Sequence, residues 1–137
     1  MLTQRSKYAL RALQALAAQA ADTRMLSSAI AKEQRIPQKF LEQILLDLCR
    51  RGIVVSHRGR NGGYMLAKKA TQITVGDIIR YTDGPLAPIA CASLTGYEKC
   101  TDCIDEKRCS IRKIMRKVRD SISDILDHTT LADTLAR

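Results

Sequence analysis

The stretch that decides the fold is residues 36–67, IPQKFLEQILLDLCRRGIVVSHRGRNGGYMLA. Apolar residues recur every three or four positions in its first part, which predicts a helix opened by Pro37 and ended by Gly52. The period then changes to that of short strands, at 53–57 and 64–67, on either side of a basic turn rich in glycine. The stretch therefore predicts a helix followed by a β-hairpin.

The flanking sequence supplies further helices. Helical spacing of apolar residues predicts helices over 3–20 and 27–35, with Ser27 or Ser28 capping the second. A short helix over 74–81, capped by Thr74, and a long amphipathic helix from about 109 to 128 follow the hairpin. The expected fold is mainly α with a small β-hairpin. We expect a winged helix-turn-helix domain at 1–82, a cysteine-rich loop at 83–109 and a dimerisation helix with its tail at 110–137.

The positive charge of the chain is confined to its N-terminal half. Residues 1–70 carry 13 Lys and Arg against 4 Asp and Glu, whereas residues 71–137 carry 10 of each. The whole excess of +9 therefore lies in the half that holds the predicted helix-turn-helix. Such asymmetry indicates a face that meets a polyanion, most often nucleic acid.

Three groups of side chains are candidates for contact with double-stranded DNA. The start of the third helix exposes residues suited to base edges in the major groove, namely Gln38, Lys39, Glu42 and Gln43. The hairpin tip offers Arg58, Arg60 and Asn61 on glycines, which suits a narrow minor groove. Arg5, Lys7 and Arg11 on the first helix suit phosphate contacts. The alternatives are a solvated basic hairpin on an unrelated domain and ordinary surface positions for Glu42 or Gln43.

Four cysteines, Cys91, Cys100, Cys103 and Cys109, lie within nineteen residues. Thiolates are soft ligands that favour zinc or an iron–sulfur cluster, and only one C-x-x-C pair is present. The wide and unequal spacing of the others favours an iron–sulfur cluster, 2Fe–2S or 4Fe–4S, over zinc. A redox pair of thiols without metal is a third hypothesis. The flanking cations Lys99, Lys107 and Arg108 are expected to lower the thiol pKa values.

Other classes of protein find little support in the sequence. No stretch approaches the roughly 20 apolar residues of a membrane span, and the N-terminus lacks a signal-peptide pattern, so a cytoplasmic location is expected. No His–Cys pair, paired carboxylates or phosphate-binding loop favours an enzyme, and His57 and His128 read as surface residues. Cys49, outside the cysteine run, reads as a small buried residue on a helix. A zinc-stabilised structural or interaction module remains the alternative from another class.

Several segments resemble the Rrf-type winged-helix regulators, the family of IscR, NsrR, RirA and the cluster-free CymR. The resemblance covers nearly the whole chain and is carried by residues 6–9, 36–43, 58–64, 73–79 and 130–133. It implies a homodimer joined by the long C-terminal helix, with each cluster loop near the partner's DNA-binding domain. It also implies a palindromic operator and regulation by the state of an iron–sulfur cluster.

The cysteine pattern departs from that of the family. Family sensors often carry three cysteines, and Cys100 is an extra one inside a longer first gap. The position of a histidine ligand in IscR-like members is occupied by Arg112, and the position nearest to an aspartate ligand of nitric-oxide sensors is Tyr8. Two hypotheses follow: Cys100 completes an all-cysteine ligand set, or it is a bystander and the fourth ligand comes from elsewhere.

Overall fold

The computed structural model describes residues 2–135. Its elements are α1 (Gln4–Ala17), α2 (Ser27–Gln34), α3 (Gln38–Arg50), β1 (Val54–His57), β2 (Gly63–Leu66), α4 (Val75–Asp83), α5 (Ser110–Asp127) and α6 (Leu131–Leu135). Single 3₁₀ turns lie at Ala70–Gln72 and Ala90–Ala92. The predicted fold class, mainly helical with one antiparallel hairpin, is confirmed.

The hydrophobic core lies where α1, α2 and α3 pack together over the base of the hairpin. It is aliphatic, as a chain without Trp and with a single Phe requires. Burying each large aliphatic side chain contributes about 1.5–3 kcal/mol to folding. The largest of the fully buried side chains are Leu13, Ile30, Leu41, Ile44, Leu45, Leu48, Ile73, Ile78 and Leu131. This core fixes α3 on the domain surface with its polar face outward.

One predicted helix end and one predicted cap were wrong. Helix α1 ends at Ala17 rather than at 20, because the chain turns at Asp22, whose φ of 61° no helix accommodates. Helix α2 has Leu26 at its N-cap, and neither Ser27 nor Ser28 caps it through its hydroxyl. The Thr74 cap was correct, since its Oγ1 accepts a hydrogen bond from the Asp77 amide at 3.1 Å.

The predicted hairpin is present, and the segment before α2 adds a bridge to β2 that the sequence did not indicate. Val54 pairs with Leu66 and His57 with Gly63 in antiparallel register. Met25, from the segment before α2, adds a bridge to Tyr64, with N–O distances of 2.9 and 2.7 Å. Gly63 has a φ of 135° and faces the Met25 carbonyl, so a Cβ there would lie 2.6 Å from that oxygen. The wing is thus anchored to the chain that leads into α2.

The C-terminal part leaves the winged domain and returns to it. After α5 the backbone bridges Thr74 to Thr130, and the amide of Leu131 donates to the carbonyl of Ile73 at 2.7 Å. Leu131 is 1% exposed and lies in the main core. Arg80 of α4 and Asp127 at the end of α5 form a two-bond ion pair at 2.7 and 2.9 Å. The C-terminal end of α5 is therefore fixed to the winged domain.

Within residues 2–135, no helix is both long and apolar enough to cross a membrane. The domain limits expected at 82 and 109 stay a prediction.

Candidate nucleic-acid interface and cysteine pocket

The start of α3 presents the predicted base-contacting residues to solvent. Gln38, Lys39, Glu42 and Gln43 are all exposed. Glu42 is held by its neighbours, since it accepts from Gln38 Nε2 at 3.2 Å and from Ser27 Oγ at 3.5 Å. Glu42 therefore ties the start of α3 to the start of α2, which orients the recognition surface.

The tip of the hairpin presents its cations together. Arg58, Arg60 and Asn61 are exposed. Arg24, an exposed residue before α2, donates from Nη1 to the carbonyl of Asn61 at 2.9 Å. Sequence reasoning missed Arg24, because the contact joins residues 37 positions apart and no local pattern signals it. The wing tip is thus a cluster of cations supported from the neighbouring segment.

The cations of α1 differ in whether they bind other residues of the chain. Arg5 forms an ion pair with Asp47 of α3, and Arg11 donates to the carbonyl of Gln34. Lys7 is exposed. Arg5 and Arg11 therefore help to hold α1 against α3 and α2, whereas Lys7 stands clear for a phosphate.

The four cysteines of the loop line one pocket of about 510 Å³. Cys91 is buried on the 3₁₀ turn at Ala90–Ala92, Cys103 and Cys109 are half-buried, and Cys100 is exposed. Cys109 is the N-cap of α5, and its Sγ accepts from the amide of Arg112 at 3.4 Å. The structure thus brings together all four cysteines that the sequence grouped.

Two of the thiols are close neighbours. The Sγ of Cys100 donates to the Sγ of Cys91 at 3.8 Å. That hydrogen bond raises the pKa of the Cys100 thiol, with the nearby charge of Cys91 and desolvation adding to it. The expected lowering by flanking cations is wrong for Cys100, because Lys99 and Arg108 point into solvent while another thiol lies beside it.

The thiols surround the pocket rather than meeting at one point. Among residues 2–135, no three His, Cys, Asp or Glu side chains approach closely enough to hold a single metal ion. Tetrahedral zinc, with Zn–S bonds of about 2.3 Å, requires four sulfurs about 3.8 Å apart. Only the contact between Cys91 and Cys100 has that length.

Arg112 occupies the wall of the pocket where the family resemblance suggested a ligand. Its Nε donates to the carbonyl of Cys91 at 2.9 Å and lies 3.3 Å from Glu106 Oε1. Glu106 also accepts from the hydroxyl of Tyr97, and this hydrogen bond raises the pKa of Tyr97. A guanidinium stays protonated in proteins and has no acceptor, so Arg112 cannot serve as a metal ligand.

Arg119 lies two turns further along the same face of α5 and is only 8% exposed. Its Nη1 donates to the carbonyl of Ala92 at 2.7 Å, and its Nε and Nη2 donate to Asp120 at 2.8 and 2.6 Å. No other Lys, Arg, Asp or Glu among residues 2–135 is as deeply buried. No local pattern signals the burial of Arg119, since it is one of several similar cations of α5.

Four further residues that the sequence analysis considered lie outside the pocket. Tyr8 is half-buried and packs edge-on against Phe40, with ring centroids 5.6 Å apart. Cys49 is half-buried rather than fully buried, and desolvation raises the pKa of its thiol while a hydrogen bond with Ser56 opposes the rise. His57 and His128 are exposed, as expected.

Known proteins similar to this chain are transcriptional regulators. The model of the Rrf2 family, described as iron-dependent transcriptional regulators, matches residues 2–137. An rrf2-like helix-turn-helix regulator of Rhodobacter capsulatus is 43% identical over 139 residues, covering 99% of this chain and 93% of that protein. The regulator IscR of Yersinia pseudotuberculosis is 32% identical over 132 residues, covering 96% and 77%.

A solved structure matches the whole architecture. CymR, described as the global cysteine regulator of Bacillus subtilis, superposes with a TM-score of 0.80 at 30% identity, covering 98% of this chain and 95% of CymR. The family model spans the helix-turn-helix, the wing, the cysteine loop and α5 alike. The chain therefore belongs to the Rrf2 family of transcriptional regulators, which act by binding DNA and are not enzymes.

Proposed function

We propose that this regulator changes its affinity for an operator according to the state of an iron–sulfur cluster held by Cys91, Cys100, Cys103 and Cys109. The observation that carries the proposal is the single pocket lined by all four thiols. When bound, the cluster would supply redox or damage sensitivity, while the chain supplies the ligands and the link to the DNA-binding surface. The resemblance to IscR and NsrR supports a cluster, and the resemblance to the cluster-free CymR makes the test necessary.

The dimensions of the pocket favour a cluster over one zinc ion. Its volume of about 510 Å³ leaves room for several atoms between the sulfurs. A 4Fe–4S cluster binds each thiolate at a different iron, and a 2Fe–2S cluster binds two thiolates at each of its two irons. In both cases the four ligands as a set stand further apart than around one ion. The four-cysteine set also removes the need for a ligand at Arg112 or Tyr8.

The proposed DNA contacts divide between the two grooves. The start of α3, with Gln38, Lys39, Glu42 and Gln43, would read base edges in the major groove. Arg58, Arg60 and Asn61 of the wing would enter the adjacent minor groove, with Arg24 supporting them. Lys7 would contact a phosphate, and Arg5 would do so only by sharing its guanidinium with Asp47.

The proposed assembly is a homodimer on a palindromic operator. Helix α5 exposes four large apolar side chains along one stripe, between 38% and 64% exposed. They are Ile111, Ile114, Val118 and Ile125. A stripe that recurs at three and four residues suits a seam with the same helix of a second copy. Two copies would then place two α3 helices at a fixed spacing on two half-sites. The cytoplasmic location stays a prediction.

Anaerobic purification tests the cluster directly. The wild-type protein is expected to be brown, with visible absorbance and both iron and acid-labile sulfide in proportion to the chain. Cys100→Ala should lower cluster content and speed its loss, because it removes a ligand. Cys49→Ala, outside the pocket, is the matched control. Colourless zinc protein would refute the cluster, and an unchanged cluster in Cys100→Ala would refute the four-cysteine ligand set.

Control of DNA binding needs a second measurement. Operator duplexes selected from a random pool by the wild-type protein would be titrated with cluster-loaded and cluster-free protein at one salt concentration. We expect the two affinities to differ by about tenfold or more, equivalent to 1.4 kcal/mol. Equal affinity would refute control by the cluster while leaving DNA binding intact.

One contact supports a second candidate, a thiol-redox regulator without a cluster. Cys91 and Cys100 lie 3.8 Å apart, close enough to form a disulfide after a small movement. The two thiols would lose two protons and two electrons to a peroxide, which would be reduced to an alcohol or water. Mass spectrometry of apo protein treated with peroxide would detect the disulfide, and an operator titration of the same protein would distinguish the two candidates. Only the redox candidate predicts that the disulfide changes operator affinity in protein that never held iron.

A further inference from the structure

Helix α5 lines the cysteine pocket at its start and contacts the adjoining 3₁₀ turn further along. Its N-cap is Cys109, its first turn carries Arg112, and Arg119 lies seven residues beyond Arg112. Residues seven apart complete about two helical turns, so both arginines lie on one face of α5. That face is turned toward the 3₁₀ turn at Ala90–Ala92, which carries Cys91.

The two arginines bind consecutive carbonyls of that turn. Within the turn, the carbonyls of Ile89 and Ala90 accept from backbone amides. The next two carbonyls, of Cys91 and Ala92, accept instead from Arg112 at 2.9 Å and from Arg119 at 2.7 Å. Carbonyls at the end of a helical turn lack intrahelical donors, so the arginines satisfy groups that would otherwise stay unpaired.

These bonds are stronger and stiffer than ordinary surface contacts. Hydrogen bonds from a charged donor are roughly twice as strong as neutral ones. The guanidinium is planar and rigid, and Arg119 is buried, so its contact with Ala92 excludes water. A displacement of Cys91 by a fraction of an ångström would therefore pull on α5 through both arginines.

The face that holds the turn adjoins the exposed apolar stripe. Arg112 and Arg119 each follow directly after a stripe residue, Ile111 and Val118. Consecutive residues of a helix point about 100° apart, so any rotation of α5 about its axis moves both faces together. The far end of α5 is fixed by the ion pair between Arg80 and Asp127, so such a rotation is resisted there.

We propose that Arg112 and Arg119 act as positioning residues that couple the ligation state of Cys91 to the rotation of α5, and so to the spacing of the recognition helices. The proposal rests on the proposed function for the signal, but the mechanical link is a property of the chain itself. Arg112 thus has a role at the position where relatives are expected to carry a ligand.

Hydrogen–deuterium exchange tests the coupling without relying on DNA binding. In wild-type protein, reconstitution with iron and sulfide should slow amide exchange in residues 90–92 and 110–127, by about tenfold at the most protected amides. With Arg112→Gln and Arg119→Gln combined, compared at the same iron content per chain, the slowing in 110–127 should fall below about twofold. The same slowing in the double variant would overturn the proposal.

Matched variants separate the link from simple damage to the helix. Arg116→Gln removes an exposed arginine of α5 and should behave like wild type. Two single variants should each lose part of the slowing of exchange in 110–127. They are Arg112→Gln, at a half-buried position, and Arg119→Lys, which keeps the charge but not the planar fork. Where the protein binds operator, the ratio of the cluster-loaded to the cluster-free affinity should move furthest toward one in the double variant and should stay at the wild-type value in Arg116→Gln.

The coupling through the two arginines can still be tested if the cluster proposal fails. Wild-type protein that takes up no iron would refute the proposed function. In that case the same exchange measurement on apo protein tests the link, because loss of both arginines should speed exchange in 90–92 and in the first half of α5 relative to Arg116→Gln. Equal exchange rates in the two variants would overturn the coupling.

Discussion

At the scale of single residues, the ion pair between Arg80 and Asp127 fixes the end of α5. Hydrogen bonds from Arg80 hold the pKa of Asp127 below its ordinary value, with some opposition from desolvation. The same contact raises the pKa of Arg80, toward which Asp77 also points at 3.6 Å. A carboxylate with a lowered pKa in the folded state stabilises the protein above its unfolded pKa of about 3.9. That contribution is lost as the pH falls through the lower folded value.

Asp127→Asn is therefore expected to destabilise the protein by about 1 kcal/mol at pH 7, a modest value because a third of each side chain is exposed. The difference from wild type should shrink as the pH falls below about 4, where the carboxyl of the unfolded chain begins to be protonated while that of the folded protein is still charged. Urea unfolding at a series of pH values measures both. Asp124→Asn, on the exposed side of α5, is the control and should show no comparable loss at pH 7. A difference that stays constant down to pH 2.5 would contradict the assignment to this pair.

Gly63 is a second residue whose identity the structure requires. Gly63→Ala would strain a backbone with φ of 135° and would press a methyl group against the Met25 carbonyl, 2.6 Å away. We expect a loss of about 2 kcal/mol in the free energy of unfolding. Gly59→Ala is the matched control, because its φ is 101° but nothing lies within 4 Å of the added atom. Equal losses for the two variants would show that the contact with Met25 contributes nothing.

At the scale of the elements, α5 is amphipathic, and a single chain leaves part of its apolar surface exposed. Its inner side packs on the rest of the chain through Ile122, Leu126 and Arg119, while the stripe that includes Ile114 and Val118 stays exposed. The sequence predicted this stripe from its spacing alone, because the period of a helix is local. The end of α1 and the cap of α2 were not predicted correctly, because a turn at Asp22 and a cap at Leu26 depend on how the next segment packs.

Ile114→Lys is expected to break the dimer, because it places a charge in the middle of an apolar seam. Sedimentation of the variant at micromolar concentration should show monomers with unchanged helix content, while the wild type sediments as a dimer. Lys113→Gln, an exposed neighbour outside the stripe, is the control. A variant that remains dimeric would show that another face forms the assembly.

At the scale of the whole molecule, the excess positive charge and the cysteine loop lie in different halves of the sequence. The excess of +9 belongs to residues 1–70, which form the helix-turn-helix and the wing. The cysteine loop follows α4, and α5 with Leu131 then returns the chain to the core beneath α1. The proposed coupling between the loop and the predicted DNA contacts therefore has two routes, α5 and the anchored C-terminal segment.

The winged helix-turn-helix, the hairpin and the grouping of the cysteines follow from the sequence alone, because apolar period, glycine turns and residue spacing are properties of neighbouring positions. The tertiary structure decided which groups meet across long separations. It placed the thiols of Cys91 and Cys100 at 3.8 Å, anchored the wing through Met25, and set Arg112 and Arg119 on the carbonyls beside Cys91. Such contacts depend on how elements pack, and packing is fixed by the whole core rather than by any local pattern.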